Sequence, residues 1–431
     1  MKTSRPTLLL ARGILSRASS LLPGDQTAEL IGVDGGGAGL LVAGGRVAEL
    51  ASGRGAIARV QRRCDPLVRD LGDVVLVPGL VNAHAHLELG PMAGVLPAAA
   101  GFPAWVGALL RTRSGLGHGD YLRGAREGLT RVLSTGTTTV GDIDSTGAAP
   151  ELLAAGGVGP RVRVYREVLD AWDEGRTAAA LERLREALRE SSRLLEGYSP
   201  HAPFTVSAKL LAGVANRRRR RTRPVAVHWS ETEEELDWME RGTGGFAAVL
   251  GPSPRRRGLD LLEEAGLLGP DTSLIHGNLP RAGEPDRIAA AGASVVHCPG
   301  THRFFDRAAC PFDEYRRAGV NLALGTDSLA SNEDLDLLRE GRLLLESGAS
   351  LGPAEVLAMA TTGGAQALGL SGAVGCLQPG SRADALLLPG PLARPVDELA
   401  ERLFFEPPPP EARMVLISGR RVPPVSRETV P

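Results

Sequence analysis

The chain has 431 residues, and its 49 lysines and arginines nearly balance its 50 aspartates and glutamates. The length exceeds the roughly 100–200 residues of a typical domain, so it fits one large barrel with a smaller unit beside it. The balanced charge gives no bias toward nucleic acid, and no stretch approaches the ~20 apolar residues of a membrane span.

The cysteines and the N-terminus exclude two further classes. Four widely spaced cysteines without a C-x-x-C pair indicate neither a disulfide framework nor a cysteine zinc site. Arg12 interrupts the first apolar run too early for a signal peptide. We therefore expect a cytoplasmic protein that binds neither nucleic acid nor membrane.

The two ends of the chain share a pattern typical of short β-strands. Residues 1–73 contain apolar runs broken by glycines, such as Leu8–Ala11 and Gly39–Val42. After about residue 370 the same pattern returns, as in Leu386–Leu388 and Met414–Ser418. We predict that residues 1–73 and 371–431 combine into one small β-sandwich domain.

Between them, residues 74–370 alternate short β-branched runs with longer helical stretches, for example one with Leu181, Leu184 and Leu188 on one face. Eight such units favour an α/β fold, a (β/α)8 TIM-type barrel, over a doubly wound sheet, because no Gly-rich loop follows the first strand. The first predicted strand ends at His84. The other seven are Thr137–Ile143, Arg161–Val168, Gly197–His201, Pro224–Trp229, Thr272–His276, Ala293–Cys298 and Val320–Asp327.

Two histidines end the first predicted barrel strand. Residues i and i+2 of a strand face the same side, so His84 and His86 are expected to project side by side. Neutral imidazoles are good ligands for zinc and similar metals. Alone, the pair is weak evidence, and its meaning depends on whether later strands supply further ligands.

Later strands do end in suitable residues. His201, His228, His276 and Asp327 all fall at or near the carboxyl end of a predicted strand, where barrel active sites are built. Glu231 follows His228 by three residues. Such a set is hard to attribute to packing.

This set resembles the amidohydrolase superfamily. The matching residues are His84-x-His86, His228-x-x-Glu231, His276 and Gly325-Thr326-Asp327, together with Pro78–His86, Ser199–Ser207 and Gly380–Asp384. The resemblance covers nearly the whole chain. It is strongest to the branch that contains purine, guanine and S-adenosylhomocysteine deaminases, aminodeoxyfutalosine deaminases and triazine hydrolases.

The resemblance implies a role for each residue of the set. It makes His84, His86, His228 and Asp327 the ligands of one divalent metal ion, zinc or alternatively iron, which activates water as hydroxide. Glu231 is implied as the acid/base that protonates a ring nitrogen, and His276 and Asp327 as the residues that orient water and move its proton.

The scarcity of lysine bears on the metal count. Dinuclear members of this superfamily carry a carboxylated lysine at the end of the fourth strand, whereas this chain has Tyr198–Pro203 there and lysine only at Lys2 and Lys209. The resemblance therefore implies a mononuclear site, which favours deamination or dechlorination. A homodimer is a family expectation.

The predicted substrate contacts come from several loops and strand ends. His201 is expected to contact substrate rather than metal, Trp105 to cap the pocket, and Arg166 and Glu167 to reach substrate from the third strand. His302 and Arg303 lie where the family usually continues with Ser-Asn after His297-Cys298-Pro299. They are candidates for an anionic or aromatic substrate group, although the loop could equally pack on itself.

Three functions are consistent with these residues. The first is a metal-dependent aminohydrolase that releases ammonia from an aminated heterocycle, such as a purine-type base, a nucleoside or aminodeoxyfutalosine. The second keeps the chemistry but removes chloride or an amine from a triazine. The third, a non-catalytic barrel scaffold, is disfavoured by the intact ligand set and Glu231.

Overall fold

The computed structural model describes residues 5–18, 28–32, 35–97, 101–156, 159–391 and 395–422. The strands in chain order are β1 (Thr7–Ala11), β2 (Gly13–Arg17), β3 (Glu29–Ile31), β4 (Ala38–Ala43), β5 (Arg46–Ser52), β6 (Leu67–Asp70), β7 (Val74–Pro78), β8 (Leu80–Ala85), β9 (Thr137–Asp144), β10 (Arg161–Val168), β11 (Leu194–Pro200), β12 (Val225–Trp229), β13 (Thr272–His276), β14 (Ser294–His297), β15 (Asn321–Leu324), β16 (Ala385–Pro389), β17 (Met414–Ile417) and β18 (Arg420–Val422).

The helices alternate with the strands over the middle of the chain. They are α1 (Gly53–Cys64), α2 (Phe102–Ser114), α3 (His118–Ser134), α4 (Ala148–Ala154), α5 (Thr177–Glu182), α6 (Ala208–Arg221), α7 (Glu233–Leu236), α8 (Gly258–Glu264), α9 (Glu284–Ala291), α10 (Pro299–Phe304), α11 (Phe312–Ala318), α12 (Leu337–Glu346), α13 (Pro353–Ala358), α14 (Gly364–Ala367) and α15 (Val396–Phe405).

Strands β8 to β15 form one parallel sheet in sequence order, which confirms the predicted barrel. The sheet closes where Ala85 bridges Asp327 in parallel. Strands β8, β9 and β12 to β15 are buried along their whole length, as β-branched and apolar runs covered on both faces should be. The carboxyl ends of eight strands therefore meet at one rim.

The ends of the chain form two further sheets. One has the order β18-β17-β16-β7-β2-β3 and the other β5-β4-β1-β6. Their facing apolar residues share one cluster, in which Leu9 and Leu40 of the smaller sheet pack with Leu76 and Leu387 of the larger. The predicted β-sandwich built from both termini is thus confirmed, with the parts before residue 5 and after residue 422 outside the described residues.

Strand β7 belongs to this sandwich, although the sequence placed it at the start of the barrel segment. It pairs with β16 on one side and β2 on the other. Gly79 carries the chain from β7 into β8, and a Cβ there would lie 2.3 Å from Oγ1 of Thr138. The chain therefore passes so close to Thr138 between the two strands that only glycine fits at position 79. The domain limits at residues 74 and 370 stay a prediction.

One predicted helix is shorter than its leucine spacing indicated. Helix α5 ends at Glu182, Leu184 is buried just beyond it, and Leu188 lies outside the helix with its N–H donating to Oε1 of Glu196 at 3.2 Å. The side-chain carboxylate of a neighbouring strand replaces the helical acceptor for this amide.

Helix α3 positions the segment that follows the first strand. Gly124 and Gly128 lie one helical turn apart and face the 3-10 turn Leu87–Met92. A Cβ on Gly124 would lie 2.5 Å from the carbonyl oxygen of Glu88, and one on Gly128 would lie 2.8 Å from that of Leu87. The absence of side chains at these positions lets the helix approach the backbone directly after His86.

We expect Gly124→Ala to lower the free energy of unfolding by about 1–3 kcal/mol, because the added methyl group has no space without a backbone shift. Gly119→Ala in the same helix is the matched control, since a Cβ there meets nothing within 4 Å. The control should be neutral or stabilising by up to about 1 kcal/mol. Urea unfolding of both variants measures the difference, and equal stability would contradict the packing argument.

Candidate active site

Four predicted metal ligands meet at the carboxyl rim of the barrel. Nε2 of His86 lies 3.3 Å from Nε2 of His228. Oδ1 of Asp327 lies 3.5 Å from Nε2 of His84 and 3.6 Å from Nε2 of His86. Strands β8 and β12 and the turn after β15 thus aim three imidazoles and one carboxylate at one point.

The surroundings of these residues fix which atom faces the cluster. Nδ1 of His228 donates to the carbonyl oxygen of His201 at 2.9 Å, which leaves Nε2 for the cluster. Oδ2 of Asp327 accepts hydrogen bonds from Oγ1 of Thr301 at 2.9 Å and Oγ of Ser331 at 3.1 Å, which leaves Oδ1. Such outer contacts are typical of metal ligands.

The cluster fits a divalent metal in its charge and its unpaired atoms. His84 is fully buried, and neither of its ring nitrogens has a hydrogen-bond partner among the described residues. Burial lowers the pKa of His84 and His86, which favours the neutral rings that can ligate a metal. Burial raises the pKa of Asp327, but its contacts with the facing histidines outweigh this effect and hold that pKa well below its usual range. Three histidine nitrogens and one carboxylate suit zinc.

Glu231 and His276 lie beside this cluster. Nε2 of His276 lies 3.6 Å from Oε1 of Glu231, and burial raises the pKa of the Glu231 carboxyl group. The Glu235 carboxylate accepts from the backbone N–H of Glu231 at 2.8 Å and from that of Ser230 at 3.2 Å. Two hydrogen bonds therefore hold the turn after β12, which places a buried carboxyl group beside His276.

Two of the site residues have strained backbones. His276 has φ of 73° and Asp327 of 56°, both in the left-handed region that side chains other than glycine avoid. Such residues cost of order 1–3 kcal/mol each and concentrate at functional sites. The strain turns both side chains toward the centre of the barrel mouth.

The predicted substrate residues divide into two groups. Glu167, His201 and His228 each offer one ligand atom, and these three atoms lie within 4.8 Å of one another. Glu167 and His201 therefore face the cluster. Nδ1 of His201 lies 2.6 Å from Oγ1 of Thr205. Trp105 is buried in α2 among aromatic rings near the barrel mouth.

The structure does not bring Arg166 to the cluster. Neighbours on a strand face opposite sides, so Arg166 points away when Glu167 points inward, and its guanidinium lies 3.2 Å from Oε1 of Glu196. His302 is partly buried, with Nδ1 3.3 Å from Oδ1 of Asn278. Arg303 is exposed and lines a side cavity.

Sequence reasoning missed one charged residue of the site. Nη2 of Arg307 donates to Oε1 of Glu231 at 2.7 Å. Arg307 lies in the loop between α10 and α11, where no strand end or motif marks it. Only a structure could show that this loop folds back over the barrel mouth.

A (β/α)8 barrel with a buried three-histidine, one-carboxylate cluster and an adjacent buried glutamate is typical of one class, the metal-dependent hydrolases. Comparison with known proteins narrows it. The model of the Amidohydrolase family matches residues 75–422, and the chain belongs to this family.

Proteins similar to this chain include enzymes named as deaminases. The 5-methylthioadenosine/S-adenosylhomocysteine deaminase of Halobacterium salinarum is 32% identical over 367 residues, which is 81% of each chain. A Helicobacter pylori aminofutalosine deaminase solved with methylthio-coformycin has a TM-score of 0.81 at 20% identity, covering 96% of this chain and 100% of that one. A zinc-bound adenosine deaminase of Xanthomonas campestris has a TM-score of 0.75 at 24% identity, covering 96% and 92%. The structural likenesses show the shared fold.

Among the described residues, no helix has the length and apolar character needed to cross a membrane.

We expect zinc to raise the melting temperature of protein stripped with a chelator, because a ligand that binds only the folded state stabilises it by about 2.7 kcal/mol at 100 times its Kd. His228→Ala should abolish most of this rise by removing one ligand. The control is His118→Ala, which changes an exposed histidine paired with Glu151. Zinc responses that are equal in the two variants would contradict the assignment of the cluster.

Proposed function

We propose that the chain is a mononuclear aminohydrolase that deaminates a purine-type nucleoside and releases ammonia. The observation that carries this proposal is the buried Glu231 carboxyl group beside His276 and the three-histidine, one-carboxylate cluster. The names of similar proteins support the substrate class. One is named as a deaminase of 5-methylthioadenosine and S-adenosylhomocysteine, and another as a deaminase of aminofutalosine.

The proposed ligands are His84, His86, His228 and Asp327, with zinc as the metal that this donor set suits. When bound, such a metal lowers the pKa of water toward about 7 and so supplies a nucleophile at neutral pH. Lys209 lies on the outside of α6, 3.3 Å from an oxygen of the exposed Glu174, and so gives no bridge for a second ion. This placement supports the proposal of one metal per chain.

The proposed chemistry of the protein residues is acid/base catalysis. Glu231 delivers a proton to the ring nitrogen next to the amine-bearing carbon, which makes that carbon electrophilic. Burial suits this role because it raises the pKa of Glu231 and lets the group hold a proton. His276 and Asp327 orient the attacking water and accept one of its protons, which passes to the amine as the carbon–nitrogen bond breaks and ammonia leaves. The second proton of the water returns to Glu231 as the carbonyl forms.

His201 and Glu167 are proposed to bind the substrate on the β10–β11 side of the cluster, and Trp105 to cover it. The homodimer and the cytoplasmic location stay predictions from the sequence. Ammonia release from adenosine, 5′-substituted adenosines, guanine and triazines would identify the substrate. Release of chloride from a triazine but no ammonia from any aminopurine would contradict the proposal.

We expect Glu231→Gln to keep its metal and lose about 10²–10⁴-fold in kcat, because glutamine cannot transfer the proton. The matched control is Glu233→Gln, an exposed residue of the adjacent helix α7. Steady-state ammonia release and metal analysis of both variants check the expectation. Turnover by Glu231→Gln within a few-fold of the control would refute the role assigned to Glu231.

A further inference from the structure

Asn278 is a buried residue just beyond the carboxyl end of β13, two positions after His276. Its side chain joins two segments of the barrel mouth. Nδ2 donates to the carbonyl oxygen of Glu231 at 3.1 Å, and Oδ1 lies 3.3 Å from Nδ1 of His302. One amide group therefore ties the turn after β12 to helix α10.

The carbonyl oxygen of Glu231 fixes the orientation of this amide. A carbonyl oxygen can only accept hydrogen bonds, so the NH2 group of Asn278 faces it and Oδ1 faces His302. Nδ1 of His302 is then the donor of the second bond. The ring of His302 also packs 5.0 Å from the ring of His297, which limits its movement. The bridge therefore has one arrangement of donors and acceptors.

The backbone of Asn278 holds the same turn. Its N–H donates to the carbonyl oxygen of Ser230, immediately before Glu231, at 3.0 Å. Ser230 has φ of 52° and His276 of 73°, so both strands end in left-handed residues. Such conformations persist only where the surrounding contacts fix them. The backbone and the side chain of Asn278 are such contacts, because they join the segment that carries His276 to the turn that carries Glu231.

The bridge also reaches the residue that pairs with Glu231. The backbone N–H of Arg307 donates to the carbonyl oxygen of His302 at 3.2 Å, and its guanidinium donates to Oε1 of Glu231 at 2.7 Å. Asn278 thus lies between the two segments whose side chains meet at the proposed acid. Its amide bears on the position of Glu231 from both segments.

We propose that Asn278 is a positioning residue that holds Glu231 beside His276. The inference rests on the proposed function, in which Glu231 gives a proton to the ring nitrogen of the substrate. Without the amide of Asn278, the carbonyl oxygen of Glu231 loses this donor in a buried turn, and the turn shifts to regain a partner. The carboxyl group then leaves the position from which it transfers the proton.

Steady-state ammonia release from 5′-methylthioadenosine by the zinc-loaded protein tests this role. Asn278→Leu removes both side-chain hydrogen bonds and keeps a side chain of similar size. It should lower kcat by about 10- to 100-fold, since a misplacement of about 1 Å in an active site can cost about 10²-fold. KM and zinc content should stay close to the wild-type values, because the residue acts through Glu231.

A double-mutant cycle separates positioning from general damage to the fold. In a Glu231→Gln background, Asn278→Leu should cost less than about a further twofold in kcat, because the acid that it positions is already absent. The matched control is Asn321→Leu. Asn321 is also buried, and its amide donates to Oγ of Ser294 and to the carbonyl oxygen of Gly363, but it begins β15 at the opposite end of the barrel. Its folded fraction should keep the wild-type kcat.

Equal losses of kcat from Asn278→Leu in the two backgrounds would overturn the inference, as would a loss confined to KM. If the leucine variant does not fold, Asn278→Ala gives the same test without a risk of a clash.

Crystals of the zinc-loaded variant and wild type give a readout that needs no turnover. The distance from Nε2 of His276 to Oε1 of Glu231, which is 3.6 Å here, should be longer in the variant than in wild type. A Glu231 carboxyl group in the same place in both would overturn the inference. Absence of ammonia release by wild type, with Glu231 displaced in the variant, would contradict the proposed function alone, so the two failures are distinguishable.

Discussion

The hydrogen bonds that close the barrel between its first and last strands also bring together the residues of the proposed metal site. The carbonyl oxygen of His84 accepts from the backbone N–H of Thr326 at 2.9 Å and from that of Asp327 at 3.1 Å. The side chain of Asn82 donates to Oγ1 of Thr326 at 2.7 Å and accepts from its N–H at 3.2 Å. Because these groups are buried, breaking any of them leaves unpaired polar atoms. Closure of the barrel therefore fixes the separation of the first and last ligands.

This arrangement also explains the unusual features of the site. Gly325 must lack a side chain, since a Cβ there would lie 2.8 Å from Cβ of His84 and 2.9 Å from its carbonyl oxygen. Asp327 adopts a left-handed backbone immediately after this crossing, which turns its carboxylate to the histidines. Backbone strain and buried imidazoles without hydrogen-bond partners are unfavourable on their own, and a bound cation would compensate for both.

The sequence predicted the barrel because short apolar runs alternate with helical stretches, and several of these runs end in a histidine or an aspartate. His84, His228 and His276 could be assigned to the site in this way, since parallel strands bring their carboxyl ends to one rim. The same reasoning misplaced β7, because a buried apolar run reads alike in a sandwich and in a barrel. The crossing at Gly79 depends on packing against Thr138, which lies 59 residues away in sequence.

Residues on the substrate side of the site were harder to predict, because their positions depend on tertiary structure. Arg166 and Glu167 are adjacent at a strand end, and only the registration of the strand decides which one faces the cluster. Arg307 reaches Glu231 through a fold of the loop after α10 that no periodicity encodes. The positions of the proposed ligands thus followed from strand ends, whereas the substrate-facing wall depends on tertiary contacts.

Anomalous diffraction at the zinc edge from crystals of the zinc-loaded protein tests the central claim most directly. The account predicts one peak per chain, within bonding distance of Nε2 of His84, His86 and His228 and of Oδ1 of Asp327. Two peaks in the barrel mouth, or none at this cluster, would contradict a mononuclear site built by the closure of the barrel.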